Sequence, residues 1–291
     1  MKNLFIIVLI TCIAAHAQMP VSPRMPVEVT PIKLTSTFAE YRNDHFHNGI
    51  DIAGDRLEIR PLYAGEIIFY TDEFDDPTRS PTGTGNMAVM EHQGKIRTYF
   101  YHLTAGTLRR EYALLGTNDV LALTGNTGRS GGAHLHLSVE DIASNRVVDP
   151  LTLLPPVKDA LRPRIDGIFI KPDLKLEHLR SGSIVRGRGE MKLFVKAYDI
   201  AEGNFQTGLK HLRISMDDTV LRDYDFSYLI KKNNEYCVAP GYPFDDVYGA
   251  DKYFYRGGLI TPSKARHVFS AEAEDFAGNK TELSVPVYFR R

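Results

Sequence analysis

The chain has little of several things that would assign it to a class at once. Cysteine occurs only twice in 291 residues, at Cys12 and Cys237, and the formal net charge is -1. No stretch stays apolar over the roughly 20 residues that a membrane-spanning helix needs. Internal repeats and low-complexity tracts are lacking too. These absences exclude a disulfide-stapled scaffold, a basic field able to gather nucleic acid, a transmembrane segment and a repeat architecture. What is present is ordinary globular material: 43% of residues are hydrophobic and 24% charged, enough for a packed core. The length favours two domains, at roughly 150 residues for each.

The N-terminus has the three parts of an export signal. Lys2 precedes the apolar run Leu4–Ala15, and Ala15-His16-Ala17 offers a small-residue cleavage site before Gln18. Cleavage there takes the net charge from -1 to -2 and removes Cys12, leaving Cys237 without an internal partner. Thr11 stands before Cys12 where a lipid-attachment site wants a smaller residue, so acylation is not expected. The mature protein is expected to be exported, to the periplasm or the cell surface, with a fold that rests on packing and metal.

Short β-rich runs dominate the rest of the chain. Leu62 to Tyr70, Met87 to Glu91, Lys95 to His102, Val120 to Thr124 and Ala133 to Glu140 alternate with Gly, Asn and Asp turns, and no window holds a helical apolar stripe. The Thr71 to Asn86 connection is long against a median of about five residues and is a candidate groove wall. Clustered prolines near Pro150, Pro155 and Pro156 mark a boundary. Beyond it come Ile165 to Ile170, Met191 to Ala197, His211 to Met216, His267 to Ala273 and Leu283 to Phe289, the last two joined at Ala277-Gly278-Asn279-Lys280 as a hairpin. The expected fold is therefore mainly β, an antiparallel sheet domain followed by a β-sandwich of immunoglobulin-like kind. Its parts are a signal at 1–17, a tether at 18–34, a first domain at 35–154, a Pro-rich linker at 155–161 and a second domain at 162–291.

Six of the ten histidines fall between positions 45 and 136. A catalytic zinc takes three ligands from His and carboxylate and keeps a fourth position for water. His47-Asn48-Gly49-Ile50-Asp51 could bring an imidazole and a carboxylate together if Gly49 bends the backbone. Alone, that spacing is more readily explained as an exposed turn with a charge pair. His134-Leu135-His136 would put two imidazoles on one face of a strand, with Leu135 in the opposite layer. Alone, two such residues are more often surface polar groups, although the Gly-rich Gly125 to Gly132 turn before them would admit another backbone. His102, alternating with apolar residues, reads equally as a satisfied core histidine. His45 and His92 are expected to be a solvated residue and a strand end, not ligands.

Taken together, Phe46 to Ala53, Gly85 to His92, Tyr101-His102-Leu103, Gly125 to Ser130 and His134-Leu135-His136-Leu137 closely resemble the lysostaphin-type (LytM-domain) peptidoglycan zinc metallopeptidases. The resemblance runs from about Thr35 to Leu153. It implies that His47, Asp51 and His136 bind Zn²⁺, that His102 and His134 are catalytic, and that Asn86 lines the substrate groove. It also implies a metalloendopeptidase acting on the peptide stems or cross-bridges of bacterial peptidoglycan, the alternative being a degenerate relative that only activates another wall hydrolase. Leu108 to Val120 is longer and more charged than the usual hairpin, and Gly132-Ala133 stands where Gly-Pro is common. Neither departure touches an implied ligand.

Overall fold

A computed structural model of the chain describes residues 23–75, 83–109, 114–187, 189–201, 203–249 and 251–290. The expected signal, the start of the tether, and parts of the Thr71 to Asn86 and Leu108 to Val120 segments lie outside the described residues. The fold is mainly β, as the alternating runs imply. Among the described residues the helices are single turns, at Pro150–Thr152 and Phe244–Val247.

The sheet that carries the histidines is antiparallel and centred on His134–Asp141. That strand pairs with Ile50–Ala53 on one side and Ile96–Tyr101 on the other, and Ile96–Tyr101 leads through Met87–His92 to Gly65–Thr71. Period-two alternation explains its orientation: Leu135, Leu137 and Val139 are fully buried, whereas His134 and His136 turn to the other face and stay partly open. The expected strands are found within a few residues of their predicted ends.

The same sheet does not stop at the proline-rich boundary. Arg146–Val148 pairs with Thr219–Lys232, which continues through His211–Met216, Arg266–Glu274 and Lys280–Arg290. Thr219–Lys232 is not evident in the sequence, because Arg222, Asp223 and Asp225 interrupt its apolar alternation. A second sheet, built on Arg164–Lys171, Met191–Ala201 and Phe254–Ile260, covers the C-terminal part of the first and shares one apolar core with it. Two layers of this kind do not by themselves imply an immunoglobulin-like strand order. The expected hairpin is present, with Asp275 closing its turn by accepting from the backbone N–H groups of Ala277 and Asn279 at 2.9 and 2.8 Å. Residues 155–163 have no regular secondary structure, yet Asn279 Nδ2 donates to the Leu161 carbonyl at 3.0 Å and holds them against the turn.

Candidate metal centre

Strand register assembles the site. Asp51 lies directly opposite His136, and Ala53 opposite His134, while Tyr101 faces His136 from the other side. Residues opposite one another in an antiparallel pair project from the same face, so one face presents Asp51, His134 and His136 together. His47 reaches them from the preceding loop. There Ala39 N–H donates to the His47 carbonyl and His47 N–H to the Glu40 carbonyl, at 2.7 and 2.8 Å, closing a tight turn over Arg42 to His45. Gly49 serves the site by closeness. A β-carbon there would fall 2.2 Å from the Leu137 carbonyl oxygen and 2.8 Å from His136 Nε2, so any side chain would pry the two strands apart. That is a different reason from the bend expected of it.

His47 Nε2, His136 Nδ1 and Asp51 Oδ1 lie 3.1 Å from one another in each pairing. Each ligand-type atom has its opposite number occupied. His47 Nδ1 donates to the Thr37 carbonyl at 2.7 Å, His136 Nε2 faces Asn48 Oδ1 at 3.1 Å, and Asp51 Oδ2 accepts from Arg42 Nη2 at 3.1 Å. Such outer contacts set the ring tautomers. With those protons assigned outward, the inward atoms are three lone pairs converging on one point, an arrangement that a cation satisfies and that the protein alone leaves mutually repulsive. Two nitrogens and one carboxylate oxygen suit zinc, and the set leaves room for a further ligand. The residues therefore fit the metal.

Electrostatics point the same way. Burial pushes the His136 imidazole down to about 4, keeping the ring neutral and its lone pair available at ordinary pH. Burial alone would raise the Asp51 carboxyl, but His47 and His136 beside it prevail and hold it well below the usual carboxylate range. The side chains of Asp51 and His136 keep 13% exposure, so a substrate can reach them.

His102 and His134 stand beside this group, their rings 4.8 Å apart. His102 Nδ1 donates to the Thr127 carbonyl and His134 Nδ1 to the Gly132 carbonyl, at 2.8 and 2.7 Å, which turns both Nε2 atoms free of the backbone. His134 Nε2 lies 3.6 Å from Asp51 Oδ1. His102 does not continue its strand. It follows Tyr101 with φ at +61°, a left-handed conformation that costs a non-glycine residue energy and that recurs where a side chain must be aimed. Burial lowers its pKa from the ordinary value, so this ring too is neutral at rest.

Asn86 is buried and works through loops. Its Nδ2 donates to the Leu103 carbonyl at 3.3 Å and its Oδ1 accepts from Glu73 N–H at 2.9 Å, tying the segment after His102 to the start of the long connection. His45 is exposed and bonded to Asp44, and His92, at a strand end, is buried against Thr98 Oγ1 and the Ala64 carbonyl. Neither joins the cluster. Arg42 and Asn48 carry no signal in the sequence that singles them out. Asn48 sits inside the His-Asn-Gly-Ile-Asp run, but nothing along the chain could assign its contact 88 residues away.

The C-terminal region reaches this centre. Tyr41 and Phe46 pack on Phe244 at 5.3 and 5.2 Å, and Tyr248 donates its hydroxyl proton to the Ala39 carbonyl at 2.8 Å. Buried Glu40 accepts from Gly208 N–H at 3.0 Å and pairs with Lys252 at 3.3 Å and Arg42 at 3.6 Å. A continuous polar chain thus runs from the C-terminal sheets through Glu40 and Arg42 to Asp51.

Residues 45–150 match the model of peptidase family M23, and a second family model, carrying no functional description, matches residues 162–290. The chain is similar to the peptidoglycan DD-endopeptidase ShyB of Vibrio cholerae, with 28% identity over 165 residues, which is 54% of this chain and 36% of that protein. It therefore spans about a third of the length of the curated relative it matches. Among solved structures, a zinc-containing peptidase from Vibrio cholerae aligns at 26% identity over 41% of this chain and 36% of that one, with a TM-score of 0.34. The catalytic domain of lysostaphin from Staphylococcus simulans aligns at 20% identity over 38% and 80%, with a TM-score of 0.31.

Proposed function

We propose that this protein, whose residues 45–150 match the model of peptidase family M23, is an exported zinc metalloendopeptidase that cleaves peptide bonds in the stems or cross-bridges of bacterial peptidoglycan. The observation that carries the reading is the convergence of His47 Nε2, Asp51 Oδ1 and His136 Nδ1 with every outward atom already held. His47, Asp51 and His136 hold the zinc. When bound, the metal supplies Lewis acidity toward water and the scissile carbonyl.

The remaining chemistry belongs to the chain. His102 and His134, their Nε2 atoms turned from the backbone, take the proton of the attacking water and return one to the leaving amine, and the ring that momentarily carries that proton stabilises the charge developing on the carbonyl oxygen. Their Nδ1 bonds to Thr127 and Gly132 keep them from rotating away as they change charge. Asn86 shapes the groove by fixing the loops on either side of it. Residues 35–154 form the catalytic unit, and 162–291 brace the His47 loop through Phe244, Tyr248 and Glu40's partners. The substrate class is supported by the similarity to a relative named a peptidoglycan endopeptidase.

A regulator that had lost catalysis would be expected to have lost donors, whereas all five residues are present and grouped here. The two readings separate in one assay. Purified protein is analysed for zinc and incubated with isolated cell-wall sacculi, with and without chelator, and soluble fragments are identified by mass spectrometry. Zinc-dependent release of peptide fragments is expected; bound zinc without any release would leave the regulator reading in its place.

A further inference from the structure

A second group of donors lies far from the histidines. Asp159 in the connecting segment, Asp199 in the strand Met191–Ala201 and Asp275 at the hairpin turn bring one carboxylate oxygen each within 4.8 Å of the others. Asp159 and Asp199 line a cavity of about 500 Å³, together with Ile32, Leu34 and Thr37 from the N-terminal region and Thr207 from beyond the prolines.

Acidic clusters are common, but this one has orphaned atoms. Asp199 is 5% exposed and Thr207 and Asp275 are fully buried. Asp199 Oδ1 and Thr207 Oγ1 have no hydrogen-bond partner, although the two residues are register partners on paired strands and so project side by side. Asp275 is fixed by its turn, and Asn279 ties that turn to the backbone at Asp159 and Leu161. Lys158 is the basic residue among those lining the cavity, against the two lining carboxylates Asp159 and Asp199, and among the described residues no lysine or arginine is seen in an ion pair with any of the three aspartates. Three close carboxylates and an unpartnered hydroxyl are costly to bury.

We infer that Asp159, Asp199, Asp275 and Thr207 form a calcium-binding site that fastens the connecting segment to the C-terminal sheets. Oxygens bound to one calcium ion at about 2.4 Å stand at most about 4.8 Å apart, and the three carboxylates each bring an oxygen within that limit of the others. All donors are hard oxygens, unlike the nitrogen-containing group at His47, so the two centres sort their metals by chemistry. The ion would lock Asp159, and with it residues 155–163, against a cavity wall that includes Thr37 of the His47 loop. This site is independent of the peptidase reading.

The test uses the full-length zinc-loaded protein, freed of loose divalent ions on a chelating resin and checked for retained zinc. Calcium chloride is titrated by calorimetry and by thermal unfolding at pH 7.5. Binding of a single ion in the submillimolar to millimolar range is expected, with a saturable rise in Tm of several degrees. Asp199→Asn should abolish both. Asp159→Asn, on the partly exposed segment and safer for folding, should weaken binding at least about tenfold, with wall hydrolysis in calcium-free buffer unchanged. Absence of binding at millimolar calcium, an unaltered response in Asp159→Asn, or an equal response to magnesium would each overturn the assignment.

Discussion

The two groups of metal-type donors are built on opposite plans. At His47, Asp51 and His136 the inward atoms meet at 3.1 Å, while each outward atom is engaged by Thr37, Arg42 or Asn48. At Asp159, Asp199 and Asp275 the turn carboxylate is fully engaged, whereas Asp199 Oδ1 and Thr207 Oγ1 have no hydrogen-bond partner. The first group is oriented before any ion arrives. The second keeps uncompensated charge that an ion would relieve, which suits a fastening role whose value is stability. The contrast teaches that closeness of ligand-type residues says little until the partners of their other atoms are known.

The sharpest way to break this comparison is His136→Ala. Zinc content and wall hydrolysis should both fall to the level of chelator-treated protein, measured by elemental analysis and fragment release, while the calcium response persists. A variant that retained activity without zinc would sink the histidine centre.

His102→Ala should separate binding from chemistry. Zinc stays, since His102 is not among the three converging residues, and turnover drops by about 10² to 10⁴, the usual worth of a positioned acid or base. Loss of zinc in this variant would instead move His102 into the ligand set.

A smaller effect is expected from the outer contacts. Asn48→Ala removes the acceptor for His136 Nε2 and should weaken zinc binding about 10- to 100-fold, read by competition with a chromophoric chelator. Phe244→Ala probes the brace from the other region. Partly buried against Tyr41 and Phe46, the ring should cost about 2 to 3 kcal/mol of stability when truncated, seen as a lower denaturation midpoint.

A separate expectation concerns a lone acid outside both groups. Asp149 is fully buried with Oδ2 unpartnered, and burial raises its carboxyl from 3.8 to about 7. A raised carboxyl binds its proton more tightly folded than unfolded. Its contribution is thus most favourable at low pH, declines as pH climbs from about 4 to about 7, and is flat above. Asp149→Asn should lessen that decline in Tm, and calcium should leave the decline unaltered.

Much of the sheet is readable from alternation. His211–Met216 and the hairpin around Gly278 follow from period-two patterns and turn residues. Thr219–Lys232 is hidden because its charged residues find partners across strands, as Asp223 does with Arg213 and His211. Position 102 departs from its pattern for a different reason: strand alternation continues through it in sequence, whereas the backbone has already turned to a positive φ. The proline-rich boundary is visible along the chain, but the pairing of Arg146–Val148 with Thr219–Lys232 that carries the sheet past it is not, because pairing partners some 80 residues apart leave no local signature.

By itself the sequence determined the donor types, the two-residue spacing that sends His134 and His136 to one face, and the kind of metal such donors prefer. These are properties of side-chain chemistry and of the period of a strand. Only the tertiary structure decided which atoms face inward, because that depends on the Thr37 carbonyl, Asn48 and Arg42 capturing the outward ones. It also decided that three scattered aspartates share one small space, since burial and convergence are set by how sheets stack and not by any neighbour along the chain.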